Sequence, residues 1–178
     1  MSKPLLFAAM LVALSACASQ APVPLTVAGR ADGADVAQGR KHAVLPADGD
    51  TEGAPFPEVA THVTRALHGA GFITVDDPKA ADVLIFVSYG EADDDLDENH
   101  LALAAYDARR YARQSKAHQT WMVQVTSPAS SGKLRKTMPA MVRAAQPQLG
   151  KTTAASVFSL LSRKDPGVRY IETGEAAQ

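Results

Sequence analysis

The sequence predicts an α+β domain, a mainly antiparallel sheet with two principal helices packed on one face. Three observations carry that expectation. Val59, Ala60, Val63, Ala66, Leu67 and Ala70 recur at helical spacing, leaving Thr61, His62, Thr64, Arg65 and His68 on the opposite side. Val83-Leu84-Ile85-Phe86-Val87 is an unbroken apolar run, rich in strand formers and far too short to span a membrane. In 120–126, Trp121, Val123 and Val125 alternate with Met122 and Gln124, the two-residue period of a strand.

At the N-terminus, Lys3 supplies a positive charge and residues 5–14 an apolar segment of signal-peptide length. Leu14-Ser15-Ala16-Cys17 then resembles the bacterial lipobox, in which cleavage precedes a lipidated cysteine. Cys17 is the only cysteine of the 178 residues, so an internal disulfide is excluded. The resemblance implies a signal peptide over 1–16 and lipidation at Cys17. Its acyl chains exceed the two-anchor threshold for stable membrane attachment. Ala18, where aspartate would favour inner-membrane retention, implies the periplasmic face of the outer membrane.

Residues 17–56 are expected to be the lipidated cysteine and a flexible tether. Prolines at 22, 24, 46 and 55 and glycines at 29, 33, 39, 49 and 53 interrupt regular elements there. One short strand, over 40–45, is expected to add to the sheet, on the strength of a weak alternation alone. The folded domain is expected over 57–173 and a loose tail over 174–178. Pro57 suits a first helical turn, and Gly69 and Gly71 suit its end. Residues 72–75 read as a short strand, 76–78 as a turn and 83–87 as the central strand, buried on both faces. Glu91 to Glu98 holds six carboxylates in eight residues and reads as a solvated loop, with loose cation association as the alternative. Residues 100–114 read as a weakly apolar helix and 127–132 as a turn. Residues 133–145 read as a strand demoted to an edge by Pro139. A second principal helix is expected over 152–162 and a last strand over 168–171.

This order of elements resembles small bacterial envelope lipoproteins of the domain-of-unknown-function type. The residues that carry it are Gly71-Phe72 after a helix, Ala81 to Leu84 in a strand, and a hairpin pairing 123–127 with 131–134. Where such proteins often carry a tryptophan, Arg135-Lys136-Thr137 stands here. The resemblance implies a fold and an envelope location, and it brings no common activity.

Motifs that carry chemistry fail on their spacing. Gly150-Lys151-Thr152 lacks the glycine that a phosphate loop needs at Ala145, and Pro147 removes an amide. Asp93, Asp95 and Asp97 have calcium-loop spacing, but Glu98 and Ala104 occupy the glycine and closing-glutamate positions. Ser130-Ser131-Gly132-Lys133 sits in a turn, where lysine is charged. Histidines 42, 62, 68, 100 and 118 show no ligand spacing and read as exposed or incidental. No enzyme activity, metal or cofactor is expected. Aromatics are only 6% of the chain, so no broad stacking surface is advertised.

Charge is divided along the chain. Residues 17–98 hold 5 basic and 15 acidic side chains, and residues 99–178 hold 12 basic and 4 acidic. Within the basic part, Tyr106, Arg109, Arg110, Tyr111, Arg113 and Lys116 interleave tyrosine with cations. Export disfavours nucleic acid as their partner, leaving an envelope protein or an anionic cell-wall polymer, besides the membrane held through the anchor. The expectation is therefore a non-catalytic, lipid-anchored envelope lipoprotein that binds or supports another envelope component. The other classes are a periplasmic enzyme whose site forms only in three dimensions, and a structural spacer.

Overall fold

The structure, a computed structural model, describes residues 21–32, 39–51, 53–92, 97–113 and 118–175. The signal segment and Cys17 lie outside them, as do Asp93–95 of the acidic run and Lys116. Seven strands form one mixed sheet: β1 Val23–Ala31, β2 Lys41–Thr51, β3 Ile73–Thr74, β4 Val83–Gly90, β5 Glu98–Asp107, β6 Gln119–Pro128 and β7 Val157–Leu161. Their order across the sheet is β3-β2-β4-β5-β6-β1-β7. The helices are α1 Phe56–Gly69, α2 Ala108–Tyr111, α3 Leu134–Ala145 and α4 Pro166–Thr173. The α+β class stands, with a sheet that is mixed: β2 runs parallel to both β3 and β4, and the remaining pairs are antiparallel. Parallel neighbours need a crossover, and α1 supplies it between β2 and β4.

α1 forms where the periodicity placed it, burying Val59, Val63, Ala66 and Leu67. It ends at Gly71, whose φ of 84° only glycine adopts without strain, while the Phe72 amide turns back to the Leu67 carbonyl. β4 lies within the sheet and presents Val83, Ile85, Val87 and Tyr89 to the helices, all 1% exposed or less. Its other side carries Leu84, Phe86 and Ser88, of which only Leu84 is buried. The strand is thus covered fully on one face, not on both.

Four expected elements take the opposite form. Residues 100–114 are mostly strand β5, in which Leu101, Leu103 and Ala105 point to the core. Alanine's helix propensity is a weak preference, and pairing with β4 and β6 along the whole strand overrides it. Residues 133–145 are helix α3, with Leu134, Met138, Met141, Val142 and Ala145 buried at helical spacing. Pro139, itself buried, removes one internal hydrogen bond, to the Arg135 carbonyl, and the apolar stripe outweighs that loss. The second principal helix is therefore α3. Residues 152–162 instead contain β7, paired with β1. Residues 168–171 are helical in α4, with Pro166 in the first turn and Asp165 accepting from the Gly167 and Val168 amides at 2.9 and 3.1 Å.

The segment read as tether contributes two sheet strands, β1 and the longer β2. Its prolines and glycines are accommodated rather than avoided. Gly29 is required by close approach, since a Cβ there would sit 2.8 Å from the Lys151 carbonyl. The Thr153 hydroxyl and amide both bond to Gly29, and the Thr152 hydroxyl bonds to Ala31. These are the bonds a longer β7 would have made, so the Gly-Lys-Thr sequence serves as a strand extension.

α1, α3 and α4 all lie on one side of the sheet, and the core between is one contiguous cluster. His62 was expected to face outward, yet it is buried because α4 packs over that side of α1. Its Nδ1 lies 2.9 Å from the Ile171 carbonyl, and Arg65 donates to the Ile171 and Glu172 carbonyls, closing the C-terminal end of α4. His42 is buried edge-on to the Phe72 ring at 4.9 Å. Burial pushes both imidazoles below their ordinary pKa.

Candidate functional site

The sheet face away from the helices is the open one. Along it, β4 and β5 carry Phe86, Ser88, Ala102, Ala104 and Tyr106, small or aromatic, beside the buried Leu84. α2 folds over one end of this face. Asp107 caps α2, its carboxylate accepting from the Arg110 amide at 3.0 Å. The same carboxylate receives Arg40 Nη2 at 2.8 Å, and that nitrogen also donates to the Asp82 carbonyl at 2.8 Å. The Ala108 amide bonds to Asp82 as well. First the Arg110 amide, then the Arg40 guanidinium, hold the Asp107 carboxyl below its ordinary pKa against the opposing effect of burial. A four-residue helix is thereby fixed to the ends of β2, β4 and β5.

Fixing α2 brings Tyr111 onto the open face. Its ring lies 5.1 Å from Phe86 and 5.8 Å from Tyr106, and Phe86 meets Tyr106 edge-on at 5.7 Å. Offset and edge-on contacts at these separations are the favoured aromatic geometries. A depression of about 220 Å³ opens beside the three rings, floored by Ala47, Ser88 and Ala104. A wider groove of about 570 Å³ lies on the other flank of Tyr111 and is rimmed by Lys79, Asp82 and Arg109. Tyr111 remains 42% exposed, and Arg109, Arg110 and Arg113 are exposed around it. Among the described residues these three arginines form no ion pair.

The structure thus brings together Tyr106, Arg109, Arg110, Tyr111 and Arg113, five of the six residues of the basic stretch, Lys116 lying outside the described residues. They do not lie on one long helix. Tyr106 comes from β5, and the rest come from α2 and the turn after it. Phe86, expected as core, is the floor of this site, and Asp107 and Arg40 fasten it. An aspartate directly before a short helical stretch is a cap signal, hidden here because 100–114 read as one helix with Asp107 inside it. Arg40 carried no such signal, since it reaches Asp107 across 67 residues of chain. Glu91, Asp97 and Glu98 lie at the far end of β5, about 30 Å from α2 at the usual strand rise.

The acidic and basic halves of the chain interleave in one sheet and pair in part, through Arg40–Asp107 and Arg135–Glu58, each at 2.8 Å. A second polar depression, of about 250 Å³, contains Arg30, Asp32, His118 and Trp121, with His118 3.1 Å from Asp32. Among the described residues, His, Cys, Asp and Glu side chains form no group of three able to hold a metal. No helix among them is long and apolar enough to cross a membrane.

No family model matches the chain, and no curated protein matches it. Solved structures of PelC from Paraburkholderia phytofirmans, described as dodecamers, are similar to it. A PelC variant aligns with a TM-score of 0.50 at 15% identity, over 71% of this chain and 99% of its own. A second PelC structure aligns at 0.49 and 16% identity, over 72% and 99%. The likeness is one of fold. A two-layer arrangement of sheet and helices is common ground for the two chains, and 15% identity carries no residue's role from one to the other.

Proposed function

We propose that this chain is a non-catalytic envelope lipoprotein, anchored through Cys17 at the periplasmic face of the outer membrane, that binds an anionic envelope component with the α2 end of its open sheet face. The observation that carries the reading is the ring cluster of Phe86, Tyr106 and Tyr111, bordered by exposed Arg109, Arg110 and Arg113. Arginine pairs bidentately with carboxylate or phosphate, and partly exposed tyrosines add flat, rigid contact area. The separation of α2 from Glu91, Asp97 and Glu98 supports this over internal neutralisation of the arginines. The lipobox residues 14–17 support the anchor, and Cys17 itself lies outside the described residues.

The test is the triple substitution Arg109→Gln, Arg110→Gln and Arg113→Gln, followed by in-cell crosslinking and mass spectrometry. All three side chains are exposed, so stability should stay within about 0.5 kcal/mol of wild type. Partner recovery should fall, and in the wild type it should weaken as salt is raised. Undiminished recovery by a folded triple variant would overturn the proposal.

A further inference from the structure

The two edges of the sheet are unlike. At one, β3 is two residues long, and beyond it the edge belongs to β2. The Val75 amide bonds to the His42 carbonyl on that side, so the even-numbered residues of β2 point their backbone groups outward. Pro46 is one of them and has no N–H, and the pairing of β2 with β4 shifts register just after it. Proline and irregularity are the devices that blunt an edge against strand addition.

The β7 edge has neither. Its sequence, Val-Phe-Ser-Leu-Leu, contains no charge, no proline and no bulge. Its hydrogen-bonding direction follows from β1. Gly29 and Ala31 bond toward Thr153 and Thr152, while Asp32 bonds toward Thr120 of β6, so odd residues of β1 face β7. Val23, Leu25 and Val27 therefore bond to Leu161, Ser159 and Val157. That leaves the N–H and C=O groups of Phe158 and Leu160 directed outward. The same two residues carry the most exposed large apolar side chains among the described residues, 65% and 61%, both on the open face. Among the described residues, a free backbone edge and an unburied apolar pair coincide on one five-residue strand.

We infer that β7 is a self-association edge, at which two copies of this chain join antiparallel about a two-fold axis beside Ser159. In that register Phe158 of each copy opposes Leu160 of the other, and each such pair exchanges both of its N–H···O bonds. Phe158 and Leu160 from the two copies form one apolar cluster across the seam, and the two sheets become continuous. The charges agree with it. Arg163 and Lys164, which follow β7, come opposite Ala155 and Ala154 of the other copy, so the cations meet small neutral residues rather than each other. Head-to-tail addition of β7 to the β2 edge of another copy would set a strand against Pro46, where a donor is missing. A closed two-fold contact is the arrangement this edge complements by itself.

Ser159 makes the inference sharply testable. It bonds inward to β1, so across the axis it forms a non-hydrogen-bonded pair with its own copy, Cα atoms about 4.5 Å apart, within the span a disulfide bridges. The full chain carrying Cys17→Ser and Ser159→Cys should yield a disulfide-linked dimer under mild oxidation. Adding Phe158→Asp should reduce its yield about tenfold or more, since it buries a carboxylate against Leu160 of the other copy. Lys136→Cys in the same Cys17→Ser background, exposed on α3 and not part of β7, should not crosslink. The wild-type chain should show a monomer–dimer equilibrium in sedimentation, shifted to monomer by Phe158→Asp or Leu160→Asp with folding intact. The inference is overturned if Ser159→Cys stays monomeric or crosslinks no better than Lys136→Cys. It is overturned equally if the wild type sediments as a monomer at its highest soluble concentration, the result expected if another segment of the same chain or a foreign strand occupies the edge.

Discussion

Asp107 is the residue on which the candidate site's geometry turns, and its contribution can be divided. Asp107→Ala removes the α2 cap, worth about 1 kcal/mol for a typical N-cap. It also removes the ion pair with Arg40. Arg40 and Asp107 side chains are 35% and 25% exposed, so solvent screens the pair, and about 0.5 kcal/mol is the appropriate scale. The total, about 1.5 kcal/mol, corresponds to a melting temperature lowered by about 3–6 °C in a domain of this size. Asp107→Asn keeps the capping oxygen and discards the charge, and should cost about 0.5 kcal/mol only. Arg40→Ala should cost about 1–1.5 kcal/mol, because its bond to the Asp82 carbonyl is lost too. The double variant Asp107→Ala, Arg40→Ala should then show a coupling of about 0.5 kcal/mol that shrinks at high salt. Urea denaturation monitored by circular dichroism measures all four. If Asp107→Asn is as damaging as Asp107→Ala, capping is not what Asp107 provides. If the double-variant coupling is zero at low salt, Arg40 does not hold α2 through this carboxylate.

Two further outcomes are expected. Cys17→Ser should abolish acyl labelling and release the protein from membranes or block its maturation, and an acylated, membrane-bound product would refute the anchor. Stability should also fall on mild acidification. The folded-state pKa values of His42 and His62 lie below the ordinary value of about 6.5, so below that pH the unfolded chain takes up protons that the folded chain does not. Stability is complete above about pH 7 and declines across the window from 6.5 down to the lowered folded values. His62→Gln should flatten part of that decline, as read from urea midpoints between about pH 5 and 8. A wild-type midpoint independent of pH over that range would refute the burial of both imidazoles in neutral form.

The sequence by itself determined the elements whose side chains admit one reading. The run from Val83 to Val87 has no helical stripe and too many β-branched residues to be other than a strand. The α1 stripe ends at a glycine that the backbone needs with positive φ. Trp121, Val123 and Val125 are all buried on one face of β6. The candidate site was legible as a composition, tyrosines among arginines, but the cap at Asp107 was not, because 100–114 read as one helix with Asp107 inside it.

Only the tertiary structure decided the segments built from alanine and serine. Ala102, Ala104 and Ala105 satisfy a helix stripe and a strand equally, since a methyl group commits to neither period. β5 is a strand because β4 and β6 offer partners on both sides for its backbone. β7 is a strand because β1 presents an open ladder; residues 133–145 differ, since their apolar stripe of Leu134, Met138, Met141, Val142 and Ala145 stood in the sequence and Pro139 obscured it. The same dependence governs the site. Phe86 is a floor rather than core because only the four-residue α2 lies on its side of the sheet, and His62 is buried because α4 returns over α1. Arg40 reaches Asp107 only once β2 has paired beside β4. Each is a contact between residues far apart in the chain, and local sequence carries no record of which distant backbone will supply the partner.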